Sequence, residues 1–160
     1  MFRQLRRINQ GLSDKECEDI LIKGSSGVLA LSGDNDYPYA LPISYYYDRA
    51  RGVIIFHCAK KGHKIDAIAR NEKASFCVVA QDNVIPQKYV TDYKSVIAFG
   101  KIKIVSDEES MRRDVFALSR KYCPDESGES INEEIDRFIS ALCILEMNIE
   151  SISGKKANLS

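Results

Sequence analysis

The chain has 160 residues, 44% hydrophobic and 29% charged, which suits one compact domain whose core folds without covalent staples. Lys plus Arg and Asp plus Glu each number 23, so no net charge draws the chain to nucleic acid or to an anionic membrane, and any anion site has to be local. The five cysteines (Cys17, Cys58, Cys77, Cys123, Cys143) are widely spaced with no C-x-x-C pair, which argues against a disulfide framework and a structural zinc site and for reduced thiols in the cytoplasm.

The N-terminal "MFRQLRRINQ" is basic but has no apolar stretch behind it, and no apolar run approaches the roughly 18 residues of a membrane span. The expectation is therefore one domain over residues 1–160, without targeting or anchoring segments. Ser13 and Glu16 form the first capping box, in which a Ser side chain takes the N3 amide and a Glu at N3 reaches back. Leu12 is placed to pack on Cys17, and Gly24 offers a stop. "GVLALS" (27–32), the turn Gly33-Asp34-Asn35-Asp36 and "YPYALPISYYYD" read as a hairpin. Pro38 and Pro42 cannot donate to a ladder, so the second strand belongs at an edge or carries an irregularity.

"VIIFHC" (53–58) is the third strand, followed by a short helix from about His63 to Arg70 closed by Asn71. Then come "ASFCVVA", a loop from Gln81 to Asp92 and the strand "YKSVIAFGKIKIV". Ser106 to Glu109 and Ser130 to Glu133 have the form of two further capping boxes. Behind them Met111, Val115, Leu118 and Tyr122, then Ile131, Ile135, Phe138 and Leu142, recur at helical spacing. "CPDESGES" (123–130) is the one candidate flexible linker. The closing "CILEMNIESI" puts Cys143, Leu145, Met147 and Ile149 on one face. About six strands, mostly joined by hairpins, favour a mainly β fold with flanking helices, an antiparallel barrel over a doubly wound parallel sheet.

The stretch "FHCAKKGHKIDAI" (56–68) gathers two histidines, a cysteine and three lysines where a strand hands over to a helix. With Gly62 at the N-cap, His63 and Lys64 occupy the first turn, where free amides and the helix dipole favour an anion such as a phosphate. A solvated helix start with incidental lysines has the same spacing. No P-loop and no G-x-G-x-x-G opens a helix, which argues against nucleoside triphosphates. His57, Cys58 and His63 are too few ligands, with no other histidine in the chain, to support zinc. Cys58 beside a histidine could be a nucleophile, although a small side chain lining a strand end is the plainer reading.

"GVIIFHCAKKGHKIDAIARN" resembles the phosphate-binding segment of the pyridoxamine 5'-phosphate oxidase-like, FMN-binding split-barrel superfamily. "SGVLALSGDNDYPYALPISYYYD", "FHCAKKGHKIDAI" and "ISGKKA" are similar to its 5-nitroimidazole resistance branch, and the likeness runs from about Arg3 to Lys156. The resemblance implies a six-stranded antiparallel split barrel. It implies an FMN, with FAD not excluded, whose phosphate lies on the His63-Lys64 turn, with His57 and Cys58 at the strand end and Ala59, Lys61 and Gly62 also among the cofactor-binding residues. His63 stands where the family carries Arg. The ring would lie along Ala40, Leu41, Pro42, Ile43 and Ser44. Ser95, where the oxidases carry Gln, would reach across a homodimer whose aromatic surfaces are Tyr45 to Tyr47 and the strand from Tyr93. The implied activity is flavin-dependent reduction of a small nitro-heterocyclic or aromatic substrate, with no metal. A flavin-binding protein without catalysis and a haem-binding split barrel, with His57 or His63 as axial ligand, are the alternatives.

Overall fold

In the computed structural model, which describes residues 1–158, helix α1 (Asp14–Lys23) starts where its cap dictates. The Ser13 hydroxyl accepts from the Glu16 amide at 3.3 Å, the Glu16 carboxylate accepts from the Ser13 amide at 2.8 Å, and Gly24 N–H closes the helix on Ile20 O. Strands β1 (Ser26–Ser32) and β2 (Pro38–Ser44) pair from Ser26 opposite Ser44 to Ser32 opposite Pro38. They are followed by β3 (Tyr46–Asp48), β4 (Val53–Ala59), α2 (His63–Arg70), β5 (Lys73–Ile85) and β6 (Val90–Val105). Helices α3 (Glu108–Tyr122) and α4 (Gly128–Phe138) precede the last strand, β7 (Leu142–Lys156).

Seven strands make one antiparallel sheet in the order β2-β1-β5-β6-β7-β4-β3. Its edge strands, β2 and β3, are consecutive in the chain with Tyr45 alone between them, so the sheet has to curl until its edges approach each other. No ladder joins them. The expected closed barrel of six strands is thus corrected to an open, curled sheet of seven. The cause is Tyr45, whose backbone turns to the end of α3: its N–H donates to the Tyr122 hydroxyl at 2.9 Å, and its carbonyl accepts from Lys121 Nζ at 2.8 Å. The expected single strand "YPYALPISYYYD" is therefore two, β2 and β3, divided at Tyr45. Pro38 and Pro42 sit, as expected, on a free edge.

The expected loop from Gln81 to Asp92 is instead a continuation of the β5–β6 ladder, from Gln81 opposite Lys94 to Ile85 opposite Val90, after an irregularity between Val79 and Gln81. Its side chains are mostly exposed and its pairing is carried by the backbone, so the sequence shows no apolar alternation there. Two caps also move. Asp107, one residue after Ser106, accepts from Ser110 N–H to begin α3, and Ser127 accepts from Ser130 N–H to begin α4 a turn before the expected box. The supposed linker is thus partly helical.

Alternating residues divide the core in two. Facing inward, Leu29, Leu31, Ile54, Phe56, Phe76 and Val78 meet Cys17 and Leu21 of α1 and Ala67 and Ile68 of α2, and Cys143, Leu145 and Met147 join them from β7. Each large side chain buried there contributes about 1.5–3 kcal/mol by transfer from water. On the other face of β4 and β7, Val53, Ile55 and Ile144 pack under Val115, Leu118, Ile131 and Ile135 of the α3–α4 pair. Arg51, in the β3–β4 turn, ties α3 down by bonding Asp114 at 2.7 Å and Glu146 at 2.5 Å. No described helix is long and apolar enough to cross a membrane.

Candidate functional site

The turn that opens α2 gathers unpaired backbone donors and a lysine. Gly62 holds φ +132° and ψ 172°, a conformation only glycine adopts freely, and open space lies in front of its α-carbon. Ile65 and Asp66 N–H both donate to Gly62 O, which leaves the His63 and Lys64 amides, nearer the N-terminus, without a backbone acceptor among the described residues. Lys64 is half-buried and makes no ion pair among the described residues, whereas Lys60 and Lys61 are exposed in the preceding loop. A half-buried ammonium beside free amides is the donor set a phosphate monoester needs.

His63 is oriented otherwise. Its ring stacks on Tyr39 of β2 with centroids 4.0 Å apart and planes 18° from parallel, and Nε2 stands 3.6 Å from the Asp34 carboxylate. That separation is too long for a hydrogen bond and suits an ion pair once the imidazole is protonated. Arg70, at the far end of α2, takes the other Asp34 oxygen at 2.7 Å. The β1–β2 hairpin tip therefore holds α2 by both ends, and Lys64 is the better placed cation for an external anion. Tyr39 and Asp34, missed in the sequence, are recoverable from the hairpin register, which returns Tyr39 opposite Leu31 beside the tip.

Along β2, Tyr39, Leu41 and Ile43 turn inward against the core, and Ala40, Pro42 and Ser44 turn outward and are exposed. The register extends that outward row across the sheet. Pro42 neighbours Val28, Val28 neighbours Cys77 and Cys77 neighbours Ile97; the next rung runs Ala40, Ala30, Ser75, Phe99. Val28, Ile97 and Phe99 are each about 40% exposed and Val79 is 63% exposed, a contiguous apolar face that α3 and α4 do not cover. Ser95 lies on this same face, opposite Val79 on one side and Lys155 on the other. Cys58 pairs with Cys143 near the other end of β7, so within one chain Ser95 and the α2 turn are not brought together.

His57 and Cys58 part company. Cys58 packs against the inner core, and His57 points outward into a cavity of about 340 Å³ whose apolar walls include Val115, Leu118, Ile135 and Phe138, with Ser44 at its rim. The two side chains cannot share a metal, and among the described residues no group of three or more His, Cys, Asp or Glu is arranged to hold one. Burial pushes the Cys58 thiol up to about 11, over the opposing pull of Lys64, which makes it a poor nucleophile at neutral pH. The expected aromatic interface at Tyr45 to Tyr47 is also corrected: Tyr45 and Tyr47 are core residues, and the Tyr45 hydroxyl donates to Leu21 O at 2.7 Å.

Residues 13–156, nearly the whole ordered fold, match the family model described as pyridoxamine 5'-phosphate oxidase. The chain belongs to the pyridoxamine 5'-phosphate oxidase family. Among curated proteins none matches. Many solved structures share the fold, among them these three. A conserved hypothetical protein of Mycobacterium tuberculosis superposes with a TM-score of 0.80 at 16% identity, over 98% of this chain and 96% of its own. A candidate 5-nitroimidazole antibiotic resistance protein of Bacteroides thetaiotaomicron gives 0.75 at 17% identity, over 91% and 85%. A protein of Mycobacterium smegmatis described as binding FAD and haem gives 0.76 at 21% identity, over 93% and 73%. This family membership and the uncovered outer face locate the residues worth testing at the α2 turn and along β2.

Proposed function

We propose that this chain binds a flavin, FMN in the first instance, and uses it to reduce a small nitro-heterocyclic or aromatic compound. The observation that carries the reading is the α2 turn: the open space at Gly62, two free amides and the half-buried Lys64 fit a phosphate monoester in a family named for an oxidase of a 5'-phosphorylated compound. The outward row Ala40, Pro42 and Ser44 begins beside that turn, and small side chains on a free edge let a flat ring approach the backbone.

When bound, the flavin supplies the electron transfer, and the protein supplies position and electrostatics. Lys64 neutralises the phosphate. The Tyr39–His63 stack holds the first turn against the hairpin, with Asp34 3.6 Å from His63 Nε2. The outer apolar face excludes water once covered, and we propose that a second copy of the chain covers it, with Ser95 contributed to the partner's site. This face, rather than the tyrosine run, would form the homodimer interface.

A visible absorbance spectrum of the purified protein followed by anaerobic turnover with a 5-nitroimidazole tests the reading. The expected result is a flavin spectrum, bleached by reductant and restored stoichiometrically by the nitro compound. A flavin spectrum without reoxidation leaves a flavin binder, and a Soret band without flavin means haem and defeats the proposal.

A further inference from the structure

Cys58 on β4 and Cys143 on β7 are register partners in an antiparallel ladder. Partners of that kind hold their α-carbons about 4.5–5.5 Å apart, inside the 4.4–6.8 Å window that a disulfide spans. Both side chains face the inner core, so their β-carbons project the same way, and the two thiols interact directly. Both are free thiols, Cys143 buried and Cys58 half-buried, which gives one accessible sulfur backed by one sheltered sulfur. The remaining cysteines are separated from them: Cys17 sits under Gly154 at α1, Cys77 is on the outer face and Cys123 is exposed after α3.

We propose that Cys58 and Cys143 are a redox pair that closes to an intrachain disulfide by exchange with a low-molecular-weight disulfide of the glutathione type. The Cys58 thiol loses its proton to solvent and its thiolate attacks one sulfur of the small disulfide. A Cys58 mixed disulfide forms and one small thiolate leaves, taking up a proton. The Cys143 thiolate, after losing its own proton, then attacks Cys58 Sγ, forming the Cys58–Cys143 bond and expelling the second small thiolate. Two protein thiols are oxidised and one small disulfide is reduced to two thiols. Lys64 and Lys60 both favour the thiolates at this strand end, while burial opposes them, so exchange is slow at neutral pH and quickens as pH rises. The bridge would fix the end of β4 immediately before the α2 turn, and it depends on the two cysteines whether or not a flavin binds there.

The test uses the full chain carrying Cys123→Ser, incubated with oxidised glutathione at mildly alkaline pH, quenched with an alkylating agent and mapped by mass spectrometry. The expected product has lost the mass of two hydrogens and yields one linked peptide joining Cys58 to Cys143, reversed by dithiothreitol. Adding Cys143→Ser should stop the reaction at a stable glutathione adduct on Cys58. A stable adduct on Cys58 with Cys143 intact, or both thiols still fully alkylated after the exchange, overturns the proposal. Repeating the exchange with excess FMN separates this from the functional reading: slower closure supports a phosphate on Lys64, and unchanged closure counts against that phosphate while leaving the redox pair standing.

Discussion

Lys121 Nζ lies 3.9 Å from the centroid of the Tyr45 ring while donating to the carbonyls of Tyr45 and Gly24. One ammonium thus stitches the end of α3 to the point where the two sheet edges meet. Its burial without an anion lowers its pKa from 10.5 to about 8. The folded protein therefore holds fewer protons here than the unfolded chain between those values, and this residue's contribution to stability rises as pH climbs through that window. Urea unfolding from about pH 7 to about pH 10 should show that rise, and Lys121→Met should flatten it. An unchanged slope in the variant would mean the ammonium is hydrated in solution.

At the α2 turn, Lys64→Ala should weaken flavin retention far more than Lys60→Ala, because Lys60 is exposed in the loop and Lys64 lies on the turn itself. A charge-assisted contact is worth ~1.5–3 kcal/mol, so roughly a ten-fold or greater rise in Kd is expected at Lys64, measured by quenching of flavin fluorescence. Equal, small effects would remove the phosphate from this turn. Gly62→Ala should cost about 1–3 kcal/mol of stability from its positive φ alone, even though open space surrounds it.

Much of this site was legible in the sequence because it is local. The Ser13–Glu16 box, Gly62 before His63, the Asn71 stop and the proline-marked edge strand all depend on residues a few positions apart, and each stands in the structure. What depended on distant partners was not legible. Tyr45 leaves the strand pattern because Tyr122 and Lys121, far along the chain, take its backbone groups. The β5–β6 arm pairs through its backbone with mostly exposed side chains, so the segment from Gln81 to Asp92 gave no alternation. Asp107 and Ser127 are sound N-caps that lack the Glu three positions on, and Glu109 and Glu133 drew attention to the neighbouring serines.

The outer sheet face gives the assembly prediction. Ile97 is exposed at its middle, flanked by Cys77 and, beyond it, Val28. Ile97→Glu should leave the fold intact, since the side chain lies on the outer face and is 39% exposed, and should give a monomer in light scattering where the wild type is expected to be a dimer, with loss of bound flavin. A wild-type monomer that retains flavin tightly would contradict a shared site.

Beneath α3, Asp114 is fully buried, and its Oδ2 has no partner among the described residues, while Oδ1 takes Arg51 and Arg113. Burial holds its carboxyl above the usual carboxylate range, over the pull of Arg113, and the neighbouring Glu146 pushes the same way. A raised carboxyl pKa means the folded state retains a proton the unfolded chain gives up, so this contribution falls as pH rises through the native value. Asp114→Asn, neutral at every pH and able to donate to Glu146, should cost less than about 1 kcal/mol and abolish that slope; Asp114→Ala should cost about 1–3 kcal/mol. Thermal denaturation of the three proteins across pH distinguishes them, and equal losses in both variants would mean Asp114 is ionised in the fold.

Mass spectrometry of the small molecule released by denaturing protein purified without added cofactor tests whether the α2 turn and β2 hold a flavin. FMN is expected at near one per chain, reduced sharply in Lys64→Ala. A protein that releases no flavin and takes up no added FMN, or that releases haem alone, would contradict it.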